Sequence, residues 1–255
     1  MEADGPGIRI GARSIPYFNT QTVLRPWGDL GIDLVVDCTG RSRVRSGAQA
    51  HLDRGAKRVL VSAPSKTMAD CDAFLLPGIN ADTFDPVVHK IVSIANCTTN
   101  ALAPVVKVLR DEFGIQHGLF TTVHAYTNSQ SLTDQPMKGP RDSWAAAENI
   151  IPSSSGAAKA LAFIWPGLKI TGKAYRVPVR TGSIVELNAV TEKAVTGEGV
   201  NESFRRAAQR PPLQGILDVL EGEWPSARIV GDAHSCVVDL PLMMVQQDRF
   251  LSVAA

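Results

Sequence analysis

Between residues 32 and 61 the chain reads strand, helix, strand. Ile32-Asp33-Leu34-Val35-Val36-Asp37 is a short apolar run, residues 43–54 carry a helical pattern, and Arg58-Val59-Leu60-Val61 is a second, β-branched run. That is a βαβ unit. It commits this part of the chain to a parallel sheet with a right-handed crossover, and it directs ligands to the carboxyl ends of the strands. Thr39, Gly40 and Ser62 fall at those ends. Taken alone, they are ordinary turn residues.

A second junction follows at Ser93-Ile94-Ala95-Asn96-Cys97-Thr98-Thr99-Asn100, between the run Val87–Val92 and a helical pattern that continues to Phe113, with Gly114 as a stop. Cys97 therefore lies where a strand turns into a helix, near the positive end of the helix dipole and a row of free backbone N–H groups. The dipole contributes about 0.3–1 kcal/mol to an exposed group, less than the roughly 1.36 kcal/mol that moves a pKa by one unit. A base is required to make the sulfur anionic at neutral pH. His124, near the end of the apolar run Phe120–Tyr126, is the candidate, and that run alternates too poorly for a surface strand, so it is expected to be buried. A lone cysteine is more often an inert core residue, but Asn96, Thr98, Thr99 and Asn100 are poor core material and suit a turn that binds something. Pro104 leaves two arrangements open: a helix that starts there, with Cys97 on a loop, or a kinked helix that starts at Cys97.

Downstream, strand patterns recur around 119–126, 174–179, 184–195 and 236–244, with a helix over 200–209 and a long polar loop over 127–145. The scarcity of helices between them predicts a largely antiparallel sheet covered by helices on one face. Residues 1–32 are polar, with weak strand signals at Ile8–Ile10 and around Val23. Gly7–Arg13 lacks the spacing of a dinucleotide fingerprint and reads as a hairpin.

With 26 basic and 25 acidic residues in 255, no global field draws nucleic acid or an anionic membrane. Local cations must account for any anion binding. Four cysteines without CxxC spacing, no apolar span of membrane length and no signal-peptide pattern point to a cytoplasmic protein.

Several separated motifs occur together: Asn96-Cys97-Thr98-Thr99-Asn100-Ala101-Leu102-Ala103-Pro104, Thr121-Thr122-Val123-His124-Ala125-Tyr126-Thr127-Asn128, Ser62-Ala63-Pro64, Pro77-Gly78-Ile79-Asn80, Ile151-Pro152-Ser153-Ser154-Ser155-Gly156-Ala157-Ala158-Lys159, and Arg176-Val177-Pro178. Taken in chain order, they resemble the phosphorylating glyceraldehyde-3-phosphate dehydrogenases over nearly the whole chain. The resemblance implies a partial Rossmann-like nucleotide-binding domain at 1–96 and a catalytic domain at 97–255. It implies NAD rather than NADP, with Pro136 as a weak vote, and a homotetramer in which the long loop packs near a neighbour. Cys97 would be the nucleophile and His124 its acid-base partner. Arg176 and Thr127 would hold the substrate phosphate. Arg141, Ser155, Gly156 and Asn96 would serve the attacking inorganic phosphate, Thr98 would bind substrate or phosphate, and Thr39, Gly40 and Ser62 would bind the cofactor. Asn96 stands in place of the family's usual serine, Ala101 in place of a second cysteine and Ser129 in place of an aspartate. The glycine fingerprint and the family's C-terminal segment are not matched, so weak NAD binding and an uncovered sheet edge are expected of this chain. The competing readings are an erythrose-4-phosphate or non-phosphorylating aldehyde dehydrogenase, a cofactor-free Cys-His hydrolase, and an inactive binding or structural subunit.

Overall fold

The computed structural model describes residues 2–4, 7–18 and 26–255. Strands β1 (Glu2–Asp4), β2 (Gly7–Ile10) and β3 (Arg13–Pro16) make a small antiparallel sheet. Ile8 pairs with Ile15 across a turn in which Gly11 takes φ 58°, so the expected hairpin is present. The strand signal around Val23 lies outside the described residues.

The βαβ unit forms as β4 (Leu34–Asp37), α1 (Arg45–Leu52) and β5 (Arg58–Val61). With β6 (Ala73–Phe74) and β7 (Ile91–Ser93) it gives a four-stranded, wholly parallel sheet in the order β4-β5-β7-β6. Helix α1 buries Ala48 and His51 on one face, while β4 is an edge strand whose Leu34 and Val36 are exposed. The strand expected from Val87 starts only at Ile91. Pro86 lacks an N–H, and the Asp85 carboxylate accepts from Val87 N at 2.7 Å, which holds Val87 and Val88 in an exposed turn.

Helix α2 runs from Cys97 to Phe113, so Cys97 is its first residue and Pro104 lies inside it. The chain enters through Ala95 at φ 59°, and Asn96 caps the helix by accepting from Thr99 N. Strand β8 (Ile115–Ala125) follows Gly114, whose φ of 71° stops the helix. Next come β9 (Ile151–Ser154), α3 (Ala157–Ile164), β10 (Ile170–Val177), β11 (Ser183–Thr191), α4 (Gly197–Ala208), β12 (Leu217–Leu220), β13 (Cys236–Gln246) and β14 (Phe250–Ala254).

These strands form a seven-stranded sheet in the order β12-β13-β14-β11-β8-β10-β9. It is mixed: β8–β10 and β12–β13 are parallel, and the other neighbours are antiparallel. One face packs on α2 and α4, where Leu102, Leu109, Phe120, Leu187, Phe204 and Leu251 are fully buried. Each such side chain contributes about 1.5–3 kcal/mol through burial. Among the described residues the opposite face is open. Leu119, Val123, Ile184, Met244 and Phe250 are exposed there, with Val123 directly opposite Ile184 in register. Strand β8 is therefore not buried on both faces. Its weak alternation arises because its exposed face is also apolar.

Gly172 pairs with Phe120 where β10 meets β8, and a Cβ there would lie 2.3 Å from the Phe120 carbonyl oxygen. The same parallel register puts Arg176 beside His124. Among the described residues, no helix is long and apolar enough to cross a membrane.

Candidate active site

Cys97 Sγ lies 3.3 Å from His124 Nε2, the contact that the residue types predict. The strand-to-helix corner supplies the sulfur and the end of β8 supplies the ring. The His124 hydrogen bond holds the Cys97 thiol below the usual thiol range, against burial, with the imidazole charge and hydrogen bonds from Thr98 adding to the effect. The same hydrogen bond raises His124. Burial works against this, the Ala125 carbonyl adds to it, and the Arg176 charge opposes it.

Arg176 meets this ring from the neighbouring strand. Its Nη1 is 2.6 Å from His124 Nδ1 and 3.1 Å from Ala125 O, while Nδ1 itself is 2.7 Å from Ala125 O. A guanidinium only donates, so two protonation patterns share this corner. Nδ1 accepts from Arg176 in the neutral tautomer that carries its proton on Nε2, facing the sulfur. It donates to Ala125 O when the ring is charged. The arginine thus limits how strongly the sulfur can hold a proton on the imidazole. A ring with an acceptor and a donor both beside Nδ1 suits proton exchange at Nε2.

Around this pair is a cavity of about 580 Å³ reached by both sheets. Of the residues singled out from sequence, it brings together Gly40, Asn96, Cys97, Thr98, His124, Thr127, Ser155, Gly156 and Arg176. Asn96 spends its Oδ1 on the helix cap, accepting from Thr99 N and Thr99 Oγ1, and its Nδ2 faces Gly156. The amide can therefore cap through its oxygen and donate toward the cavity through its nitrogen. Thr127 Oγ1 is 3.0 Å from Ser129 Oγ, so the serine that departs from the resembled pattern keeps a polar neighbour there.

Three expected residues lie outside the cavity lining. Arg141 is exposed and donates to Pro152 O at 3.4 Å. Thr39 turns inward, donating from both N and Oγ1 to Asp37 Oδ1, and Ser62 is exposed at the end of β5. The lining also includes Ala63, Pro64, Thr122 and Ser154, which lie in the motifs without an assigned role, and Arg43 and Ala174, which lie in none of them. Thr122 was accessible by period two from His124, and its buried Oγ1 has no hydrogen-bond partner. Arg43 had no signal beyond its position after the βα turn.

The match to known proteins agrees with this chemistry. Residues 96–255 match the family model described as the C-terminal domain of glyceraldehyde 3-phosphate dehydrogenase. Over 232 residues the chain is 48% identical to a glyceraldehyde-3-phosphate dehydrogenase of Kitasatospora aureofaciens, covering 90% of this chain and 68% of that one. The chain belongs to the glyceraldehyde-3-phosphate dehydrogenase family. Other members it resembles are glyceraldehyde-3-phosphate dehydrogenase 2 of Bacillus subtilis, 45% identical over 90% of this chain and 67% of that one, and the Geobacillus stearothermophilus enzyme, 44% identical over 90% and 68%. Cys97, His124 and Arg176 all fall within the matched C-terminal domain of the glyceraldehyde-3-phosphate dehydrogenase family, whereas Gly40, Arg43, Ala63 and Pro64 precede it.

Proposed function

We propose that this chain catalyses the NAD-dependent, phosphate-requiring oxidation of glyceraldehyde 3-phosphate to 1,3-bisphosphoglycerate. The observation that carries this reading is the 3.3 Å approach of His124 Nε2 to Cys97 Sγ at the head of α2. Cys97 attacks the aldehyde carbon as a thiolate, and the proton on His124 Nε2 passes to the forming oxyanion, giving a thiohemiacetal on the sulfur. The ring, now neutral with its remaining proton on Nδ1 toward the Ala125 carbonyl, takes the hydroxyl proton back on Nε2. A nicotinamide bound past Gly40 and Pro64 would supply the hydride acceptor for the same carbon. A thioester on Cys97 keeps the energy of oxidation until inorganic phosphate cleaves it to the acyl phosphate, with His124 again holding the proton. Arg176 and Thr127 hold the substrate phosphate, and Asn96, Thr98, Ser155 and Gly156 serve the attacking phosphate. Arg141 belongs to that second site only if its loop moves inward.

A nicotinamide dinucleotide fits the residues present. Gly40, Ala63 and Pro64 sit past the carboxyl ends of parallel strands and line the same cavity as Cys97, so a group held there reaches the sulfur. We assign residues 1–96 to the cofactor side and 97–255 to catalysis, with a cytoplasmic location in keeping with four unpaired cysteines.

Reduced-cofactor formation from glyceraldehyde 3-phosphate that requires inorganic phosphate is the expected result. Equal rates without phosphate would make the enzyme a hydrolytic aldehyde dehydrogenase, and ester turnover without NAD would make it a Cys-His hydrolase.

The bare apolar face of the large sheet supports an oligomer, the homotetramer by analogy with the family. Ile184→Lys places a charge at the centre of that face, opposite Val123. By light scattering it should lower the solution mass from the assembled to a smaller species. An unchanged mass would remove this face from the interface.

A further inference from the structure

The turn after β4 is built around a buried carboxylate. Asp37 is 4% exposed and accepts from Thr39 N, Thr39 Oγ1 and Ser42 Oγ. His51 Nε2 lies 3.3 Å from its Oδ2, and Trp27 Nε1 donates to His51 Nδ1 at 3.1 Å, which places the imidazole proton on Nε2, toward the carboxylate. Burying an anion costs free energy unless its hydrogen bonds are filled, so this network specifies one conformation of residues 37–42. Gly47 adds to the constraint, because a Cβ there would lie 2.9 Å from Ser42 Cα.

Arg43 leaves this turn pinned a second time. Its carbonyl accepts from Lys66 N at 2.9 Å, and its Nε donates to Pro64 O at 3.0 Å. Arg43 lines the cavity that holds Cys97, no carboxylate pairs with it among the described residues, and no Asp or Glu is in the cavity lining. The lining does hold two more cationic or protonatable groups, His124 and Arg176. A guanidinium fixed through Nε has its two terminal nitrogens left to bind a planar or tetrahedral anion.

We propose that Arg43 is a further phosphate-binding residue of this site, gripping the diphosphate of a dinucleotide that lies past the ends of β4 and β5. This rests on the proposed function for the identity of the ligand but not for the cation itself. The position on the parallel-sheet side, between Gly40 and Pro64, favours the dinucleotide over the small substrate.

Alkylation of Cys97 by iodoacetamide, a neutral reagent, reads occupancy of the cavity without turnover. Protection constants would be measured for NAD, inorganic diphosphate and nicotinamide riboside, which has no phosphate, in the wild-type chain, Arg43→Gln and Arg43→Lys. Arg43→Gln should weaken protection by NAD and by diphosphate about tenfold, as the loss of a charged hydrogen bond implies, with Arg43→Lys falling between. Nicotinamide riboside and the unprotected alkylation rate should not change. Equal protection by diphosphate in wild type and Arg43→Gln, no protection by diphosphate in wild type, or an equal loss for nicotinamide riboside would each overturn the assignment. A slow, ordinary-thiol alkylation rate in the wild type would instead count against the thiolate in the proposed function, and the protection constants would still report on Arg43.

Discussion

Cys97→Ala will abolish oxidation of glyceraldehyde 3-phosphate, by roughly 10³-fold or more, because the covalent path loses its nucleophile. Of the other three thiols, Cys38 is exposed but lies outside the cavity lining. Burial pushes Cys236 up to about 12 and raises Cys71, and neither lines the cavity. The fold should persist, since Cys97 is exposed at the first turn of α2 and the cap belongs to Asn96. Steady-state formation of reduced cofactor, with circular dichroism as the folding control, checks this. Measurable turnover at the wild-type rate in the alanine variant would contradict covalent catalysis at this position.

His124→Asn is expected to lower kcat by about 10²–10⁴ while leaving the substrate phosphate site largely intact. Asparagine can still donate a hydrogen bond but cannot exchange a proton. The first cause of the low Cys97 pKa is the hydrogen bond with His124, so its removal moves the sulfur back up toward 9.0, the ordinary thiol value. The sign follows directly: a group held low is ionised above its folded pKa, and losing the stabilising donor shifts that boundary to higher pH. At neutral pH the variant should therefore lose thiolate as well as its acid-base partner. A large fall in kcat with no change in thiolate titration would leave His124 as an acid-base group only, and an unchanged kcat would remove it from the mechanism.

The parts of this molecule legible in its sequence share one property: their residue types state their environment. Val35, Val59 and Val61 face buried layers of a parallel sheet, and β4, α1 and β5 form as read. Cys97 and His124 announce a chemistry, and the polar turn around the sulfur announces a site. Elements defined by pairing alone were hidden. Ile151-Pro152-Ser153-Ser154 carries a proline and serines, and it becomes β9 only because β10 lies beside it. Strand β8 looked doubly buried because Leu119 and Val123 make its open face apolar. The large sheet is largely antiparallel, as expected, but β10 runs parallel to β8 after the α3 crossover, and in that register Arg176 lies beside the imidazole. Arg43 was invisible for the opposite reason. An arginine in a turn is normally solvated, and only the Asp37 network and the Pro64 carbonyl fix it at the cavity wall.

The central claim, that the imidazole of His124 makes the Cys97 sulfur anionic, is tested most directly by the pH dependence of Cys97 alkylation with iodoacetamide, read by mass spectrometry of the modified peptide. The account predicts a midpoint clearly below 9.0 in the wild-type chain and a rise toward that value in His124→Asn. A wild-type midpoint at or above 9.0 would contradict it.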